Sequence, residues 1–271
     1  MTPAVDVLLV TFNAKDDVRQ CLASLADHPP RALGRIVVAD NASSDGTPDA
    51  IRQEWPAVRV LALERNLGFG AANNRALALA DAPLVLFLNG DTVVPAGAVD
   101  RLIERLLATG AAAAGPRLVD AAGRPEISFG AELRPLSEAR QMARQWLARR
   151  PEAPARAYVD RLVGRERFVA WVSGACLLAR REAVAAAGGF DERYFLYEED
   201  VDLCAAIRRR GGRILFTPAA TITHLGGRSA RTAPGAARAH YDRSHLAFYE
   251  KHAPGWTPWL RWWLRVRGRT R

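Results

Sequence analysis

Carboxylates standing where apolar runs stop are the residues of this chain best suited to chemistry. In VLFLNGDTVV, Val85 to Val94, four apolar residues break off at Asn89, Gly90 and Asp91. A turn of that kind presents hard oxygen ligands to a divalent cation, which in turn neutralises bound phosphates. Asp40 closes a second apolar run, Ile36 to Ala39, and a carboxylate there can accept hydrogen bonds from a base edge or a ribose. An Asx turn or a helix cap would use Asp40 equally well. In FDERYFLYEEDVDLCAAIRRRG, Phe190 to Gly211, the acids Glu198, Glu199, Asp200 and Asp202 crowd the start of a helical pattern. Phe195 and Tyr197 just before them suggest a pocket wall with an acid or base at its lip, although complementing the helix macrodipole would explain the same charges. Successive helical residues point about 100° apart, so one of Glu199 and Asp200, not both, is expected to face a crevice. His224 ends the run Thr221 to Thr223, and a lone histidine at a strand end is more often structural than a ligand.

These residues need a sheet to bring them together. Val5 to Thr11 reads as a strand and Asp16 to Leu25 as a helix; Ile36 to Ala39 is a second strand, followed by the turn Asn41 to Gly46 and a helix opening near Thr47 and Pro48. Val58 to Leu61 gives a short strand near an edge, Gly68 to Leu79 a helix, and the buried strand ending at Asn89 follows. Strands alternating with helices at roughly 30-residue intervals point to a doubly wound α/β sheet, whose chemistry lies at the carboxyl ends of its strands. RNLGFGAANNRAL, Arg65 to Leu77, has Gly68 and Gly70 but Asn73 where a dinucleotide fingerprint needs a third glycine, so a nicotinamide or flavin site is discounted. A helix from Pro95 to Thr109 and a strand from Ala111 to Val119 come next. Gly130 to Arg167 loosens into two helical patterns, Leu136 to Leu147 and Tyr158 to Val163. Phe168 to Ala179 reads as one strand, Ile214 to Phe216 and Thr221 to Thr223 as two more, and His240 to His252 as a helix.

With 271 residues, 49% of them hydrophobic, the chain can bury a substantial core. It has no apolar run near the roughly 20 residues of a membrane-spanning helix and no leader-like N-terminus, so a cytoplasmic location is expected. Cys21, Cys176 and Cys204 are widely spaced in apolar surroundings and read as buried thiols. The net charge of +9, carried by arginine except at Lys15 and Lys251, fits an anionic partner or simply a biased genome composition. At the C-terminus Trp256, Trp259, Trp262 and Trp263 interleave with Arg261, Arg265, Arg267, Arg269 and Arg271. That pattern suits contact with the inner face of the plasma membrane, or a helix packing its tryptophan face on the domain. The chain carries no recognised nucleic-acid-binding module, and no nucleic-acid partner is expected.

In order along the chain, VTFNAKDDVRQCLASL, VVADNASSDGT, RNLGFGAANNRAL, LFLNGDTVV, SGACLLARREAVAAAGGFDERYFLYEEDVDLCAAIRRRGGRI and HLGG resemble a family 2 glycosyltransferase of the GT-A fold. Within that family the chain is most similar to rhamnosyltransferases of bacterial cell-wall and O-antigen synthesis. The resemblance covers about Val5 to Gly227. It implies an α/β fold with a mixed, doubly wound sheet flanked by helices and a helical C-terminal tail. Residues 1–227 would be the glycosyltransferase domain, with a nucleotide-sugar-binding half (1–100) and an acceptor-side half (101–227) that carries an insertion at 130–167; residues 228–271 would form the tail. It further implies that Thr11, Asn13 and Asp40 line the base and ribose pocket with Arg65 nearby. Asn89-Gly90-Asp91 stands where the family has Asp-x-Asp, leaving Asp91 as the ligand of a divalent cation, Mg2+ or Mn2+. Asp200, beside Glu199, would be the catalytic base, His224 would help hold the metal or diphosphate, and Gly174 belongs to the acceptor-side loop. The implied reaction is an inverting, metal-assisted single displacement from a nucleotide-diphosphate sugar, with dTDP-L-rhamnose as the leading donor. The acceptor would be a saccharide or a polyprenyl-diphosphate-linked saccharide. A non-catalytic nucleotide-sugar-binding homologue is the alternative, and a basic nucleic-acid-binding protein a more distant one.

Overall fold

The computed structural model describes residues 2–150, 152–226 and 234–267. Gly227 and Ser229 of the glycine turn, Arg269 and Arg271 of the tail, and the expected boundary at 227/228 lie outside them.

The first half alternates as its periodicity demands: β1 (Val5–Thr11), α1 (Lys15–Asp27), β2 (Leu33–Asp40), α2 (Thr47–Glu54), β3 (Arg59–Ala62), α3 (Phe69–Leu77) and β4 (Leu84–Asn89). Then come β5 (Thr92–Val93), α4 (Ala98–Thr109), β6 (Ala113–Val119), β7 (Pro125–Glu126) and β8 (Phe129–Gly130). The helix pair α5 (Pro135–Ala148) and α6 (Ala153–Val163) precedes β9 (Arg167–Val169), β10 (Trp171–Val172) and β11 (Cys176–Arg180). The chain continues with α7 (Arg181–Ala187), α8 (Glu199–Arg209), β12 (Ile214–His224), α9 (Pro234–His252), a 3-10 turn (Pro254–Trp256) and α10 (Thr257–Val266).

Among the described residues ten strands make one mixed sheet in the order β3-β2-β1-β4-β11-β6-β12-β5, with β7 on β6 and β9 on β12; β8 and β10 pair separately. β1, β2, β3 and β4 run parallel. The chain steps outward from β1 to β3 and returns to β4 on the other side of β1, so the direction of winding reverses between β1 and β4. A crevice opens at the carboxyl ends of strands at such a point. β11 lies antiparallel to both β4 and β6, so its start meets the end of β4.

Strand alternation sorts the core. Val5, Val7 and Leu9 of β1 face α1 and α4, packing with Val18, Leu22, Leu25, Leu102 and Leu106, while Leu8 faces the opposite layer with Ala72, Val184, Leu203 and Ile207. Each large side chain buried in this way contributes about 1.5–3 kcal/mol. A third cluster, Tyr194, Val201, Phe248, Tyr249, Leu260 and Leu264, seats α9 and α10 on α8.

Two strand readings change. Phe168 to Ala179 is not one strand: β9 lies on β12, β10 leaves the main sheet to pair with β8, and after a turn at Gly174-Ala175 the chain re-enters the main sheet as β11 between β4 and β6. Conversely, Ile214 to His224 is continuous: its register on β6 shifts between Thr217 and Thr221, spanning Pro218, which interrupts the apolar pattern without ending the strand. The three cysteines are free and buried, as expected. No helix among the described residues is long and apolar enough to cross a membrane.

Candidate active site

Thr11 and Asp40 end β1 and β2 as register partners, and Val10 of β1 pairs with Asn89 at the end of β4. The parallel sheet thus delivers three polar side chains to one edge. Thr11 Oγ1, Asp40 Oδ2 and Asn89 Oδ1 are buried without a hydrogen-bond partner. Buried polar atoms seldom stay unpaired, and three on neighbouring strand ends make a surface ready for a polar ligand. The other oxygen of Asp40 accepts from the Ser43 amide at 2.8 Å, so the Asx turn and a ligand contact use different oxygens of one carboxylate.

Asn13, at φ 48°, ties the β1–α1 loop to the β2–α2 loop: its amide donates to Ser43 Oγ at 2.8 Å and its Oδ1 accepts from the Ser44 amide at 2.8 Å. Arg65 stands exposed on the turn between β3 and α3. That turn is joined to β2 by Asn41, a buried residue missed in the sequence, whose Oδ1 accepts from the Leu67 amide and whose Nδ2 donates to the Gly68 carbonyl. Gly68 is required by packing: it sits at φ 86°, and a Cβ there would lie 2.2 Å from the Phe195 carbonyl oxygen. The glycine pair therefore fits α3 against the approach to α8.

At the end of β4, Asp91 Oδ1 lies 3.4 Å from His224 Nε2, while His224 Nδ1 is 3.0 Å from Glu126 of β7. Pairing of His224 with Thr92 across β12 and β5 brings the histidine there. Burial opposes charge on His224, yet the bonds to Asp91 and Glu126 outweigh it and push its pKa up to about 10. Among the described residues no three His, Cys, Asp or Glu side chains are arranged as a complete metal shell. Asp91 and His224 are two adjoining side chains of ligand type; diphosphate oxygens and water would have to supply the rest of a shell. The side chains fit a divalent cation shared with a ligand.

Across the crevice, Asp200 Oδ2 accepts from the Gly174 amide at 2.7 Å. Gly174 eases this approach, since a Cβ would stand 3.2 Å from Asp200 Cβ and 3.3 Å from the Phe69 ring, tight enough to push both aside by a few tenths of an ångström. The next residue, Ala175, accepts from the Asn89 amide at 3.0 Å, so the seat of Asp200 is built on the end of β4. Glu199 is more deeply buried, with Oε2 unpartnered. Only Asp200 of the two is partly exposed. Burial raises the Asp200 pKa to about 6, reinforced by the charge of Glu198 and opposed by the Gly174 amide; burial and then Asp200 raise that of Glu199 well above the carboxylate range.

The macrodipole explanation of the acidic run gives way to specific partners. Glu198 Oε1 is 2.8 Å from His245 Nδ1, whose Nε2 is 3.2 Å from Glu138 of α5. Asp202 binds Lys251 at 2.8 Å and His252 at 2.5 Å. Tyr197 and Glu198 hold φ values of 70° and 68°, costly for side-chain-bearing residues. The turn is braced from both sides: the Phe69 amide donates to the Phe195 carbonyl, and Ser244 Oγ donates to the Leu196 carbonyl. α9 is thus a wall of the site, which the sequence did not disclose.

Residues 6–165 match the Glycosyl transferase family 2 pattern. The chain belongs to glycosyltransferase family 2. This family 2 enzyme is 34% identical to the N-acetylglucosaminyl-diphospho-decaprenol L-rhamnosyltransferase of Mycobacterium tuberculosis, across 98% of this chain and 90% of that one. It is 25% identical to the O-antigen biosynthesis protein RfbC of Myxococcus xanthus, across 96% of this chain and 19% of that protein. Among solved structures it resembles the mannosyltransferase PcManGT from Pyrobaculum calidifontis in complex with GDP-Man and Mn2+ (TM-score 0.62, 19% identity, 96% of this chain and 69% of that one). It also resembles GalNAc-T7 with UDP, GalNAc and Mn2+ (TM-score 0.61, 17% identity, 82% and 44%). The GT-A fold expected from the sequence is the fold observed. Thr11, Asn13, Asp40, Arg65 and Asn89 to Asp91 lie inside the family match, whereas Gly174, Asp200 and His224 lie beyond it.

Proposed function

We propose that this glycosyltransferase moves L-rhamnose from dTDP-L-rhamnose to the N-acetylglucosamine of a polyprenyl-diphosphate-linked acceptor, with inversion at the anomeric carbon. The observation that carries this reading is the 34% identity, along nearly the whole length of both chains, to a rhamnosyltransferase named for that acceptor type. The crevice suits the reaction. Thr11, Asp40 and Asn89 present unpaired polar atoms to the nucleotide, with Asn13 shaping the loop and Arg65 at its rim. Gly90 turns the chain so that Asp91 meets His224, and these two would hold a divalent cation. Such an ion supplies charge neutralisation for the departing diphosphate.

Asp200 is the general base. Its pKa near 6 leaves it ionised at neutral pH yet basic enough to take a hydroxyl proton, and the Gly174 amide fixes one oxygen while the other side remains available. The acceptor oxygen forms its bond to the anomeric carbon as the bond to the diphosphate oxygen breaks. The acceptor proton passes to Asp200, and the electron pair departs on the diphosphate. Glu199 is buried, and that burial raises its pKa well above the carboxylate range and so disfavours a second negative charge beside the base.

The C-terminal helix favours contact with the cytoplasmic membrane surface. α10 turns Leu260 and Leu264 inward and leaves Trp259, Trp262 and Val266 exposed beside Arg261 and Arg265, with Trp256 exposed on the turn just before it. Indole at the headgroup level and guanidinium against anionic lipid would bring the site to a lipid-linked acceptor. The test is transfer from a panel of nucleotide sugars to a synthetic N-acetylglucosaminyl-diphospho-lipid, read by mass spectrometry. A mass gain of one deoxyhexose with dTDP-L-rhamnose alone is expected; preferred use of another donor would refute the donor assignment.

A further inference from the structure

Away from the catalytic crevice, a cavity of about 550 Å3 opens between α5 and the start of β12. Its wall carries Arg144 of α5, Arg167 of β9, Arg208 of α8 and Arg213, which directly precedes β12. Ile214 opens β12 and His224 closes it, so the cavity and the Asp91–His224 pair stand at opposite ends of one strand, roughly 30 Å apart at the usual rise. Glu132, the carboxylate of the lining, is already engaged by Arg208 at 2.6 Å and Arg134 at 3.4 Å.

Two of the other guanidiniums, those of Arg167 and Arg213, are fixed by neutral partners. Arg167 donates to the Leu162 carbonyl at 2.8 Å and lies 5.6 Å from the centre of the Phe129 ring. Arg213 donates to the Thr109 carbonyl at 2.7 Å and lies 4.2 Å over the half-exposed ring of Phe168. Among the described residues Arg144, Arg167 and Arg213 have no carboxylate partner. Carbonyl and ring contacts hold a guanidinium in place without cancelling its charge, which is what pre-organised recognition of a phosphate requires. The like charges are felt: burial lowers the pKa of Arg167, and repulsion from Arg144 and Arg165 lowers it further. The volume is in the range of small-ligand sites.

We propose that this cavity binds a phosphate or diphosphate ester carrying at least two negative charges, seated among Arg144, Arg167 and Arg213 with its organic part against Phe168. The site is independent of the donor crevice and does not rest on the identity of the transferred sugar.

Calorimetry with pyrophosphate as the probe, on the full chain in EDTA, tests it. Saturable binding is expected in the wild type. Charge-assisted contacts to phosphate are strong enough that Arg144→Gln or Arg167→Gln should weaken binding about tenfold. Arg52→Gln, on a remote helix, should leave it unchanged. Arg144 makes no hydrogen bond that the fold needs, so its variant reads the site even where Arg167→Gln perturbs folding, and Mn2+-dependent dTDP binding checks that the donor crevice is intact. Absence of pyrophosphate binding in the wild type, or undiminished affinity in Arg144→Gln, overturns the proposal. Displacement of bound pyrophosphate by phosphatidylglycerol vesicles, but not by phosphatidylcholine vesicles, assigns the site to a lipid headgroup. Retention in the presence of both assigns it to a soluble phosphate ester.

Discussion

Replacing His245 with glutamine should change how stability depends on pH, by an amount the geometry allows to be worked out. His245 is buried between Glu198 at 2.8 Å and Glu138 at 3.2 Å, and Tyr249 also donates to Glu138, at 2.5 Å. Burial alone would lower its pKa, but bonds to Glu138 and Glu198 raise it from 6.5 to about 9. A group whose pKa is raised by folding stabilises the fold fully below its unfolded value and loses that contribution as pH rises through the folded value. The shift corresponds to about 3 kcal/mol, present at pH 6 and gone above about pH 9.5. His224, raised in the same direction, is present in both proteins and cancels. Urea unfolding followed by fluorescence at pH 6 and pH 9.5 is the assay. The wild type should lose about 3 kcal/mol more than His245→Gln across that interval. At pH 6 the variant should also be weaker by a few kcal/mol, because two buried carboxylates lose their counter-charge. Equal pH dependence in the two proteins would refute the claim that a charged His245 locks α9 onto the turn before Asp200.

Further perturbations have defined outcomes. Asp200→Asn should lower kcat by about 10²- to 10⁴-fold with dTDP affinity unchanged; retained turnover in a transfer assay would move the base elsewhere. Since the Asp200 pKa is raised to about 6, kcat/KM should fall as pH drops through that value, and an acid limb near 4 would contradict the assignment. Gly68→Ala, at φ 86° with its Cβ driven into the Phe195 carbonyl, should cost about 2–4 kcal/mol in urea unfolding. Trp259→Ser combined with Trp262→Ser should reduce flotation with anionic liposomes without altering turnover of a short-chain acceptor; unchanged flotation would dismiss α10 as the contact.

The strand-end positions of Thr11, Asp40 and Asn89 were legible because each closes an apolar strand pattern, whereas Arg65 follows the short, unburied β3. Asp40 and Asn89 could be placed at strand ends from the apolar runs before them, and parallel pairing then set them on either side of the end of β1. Asp200 was legible through the aromatic and acidic residues around it, but its seat on the Gly174 amide is a contact across 26 residues that no local pattern encodes. Glu126 gave no signal, being one residue of a two-residue strand whose partner His224 lies 98 positions away. The bracing by α9 was equally hidden. His245, Lys251 and His252 read as ordinary polar positions of a surface helix until Glu198 and Asp202 are brought against them. Asn41 carried a faint sign, a second Asx residue directly after Asp40, where one would suffice for a turn.

The most direct test of the central claim is calorimetric binding of dTDP, with and without Mn2+, to the wild type, Asp91→Ala and Asp200→Asn. Metal-dependent binding that is lost in Asp91→Ala and kept in Asp200→Asn is the expected result, dividing the crevice into a donor end and a base end. Metal-independent binding, or binding that survives Asp91→Ala, would contradict the assignment of the strand β4 terminus as the diphosphate site.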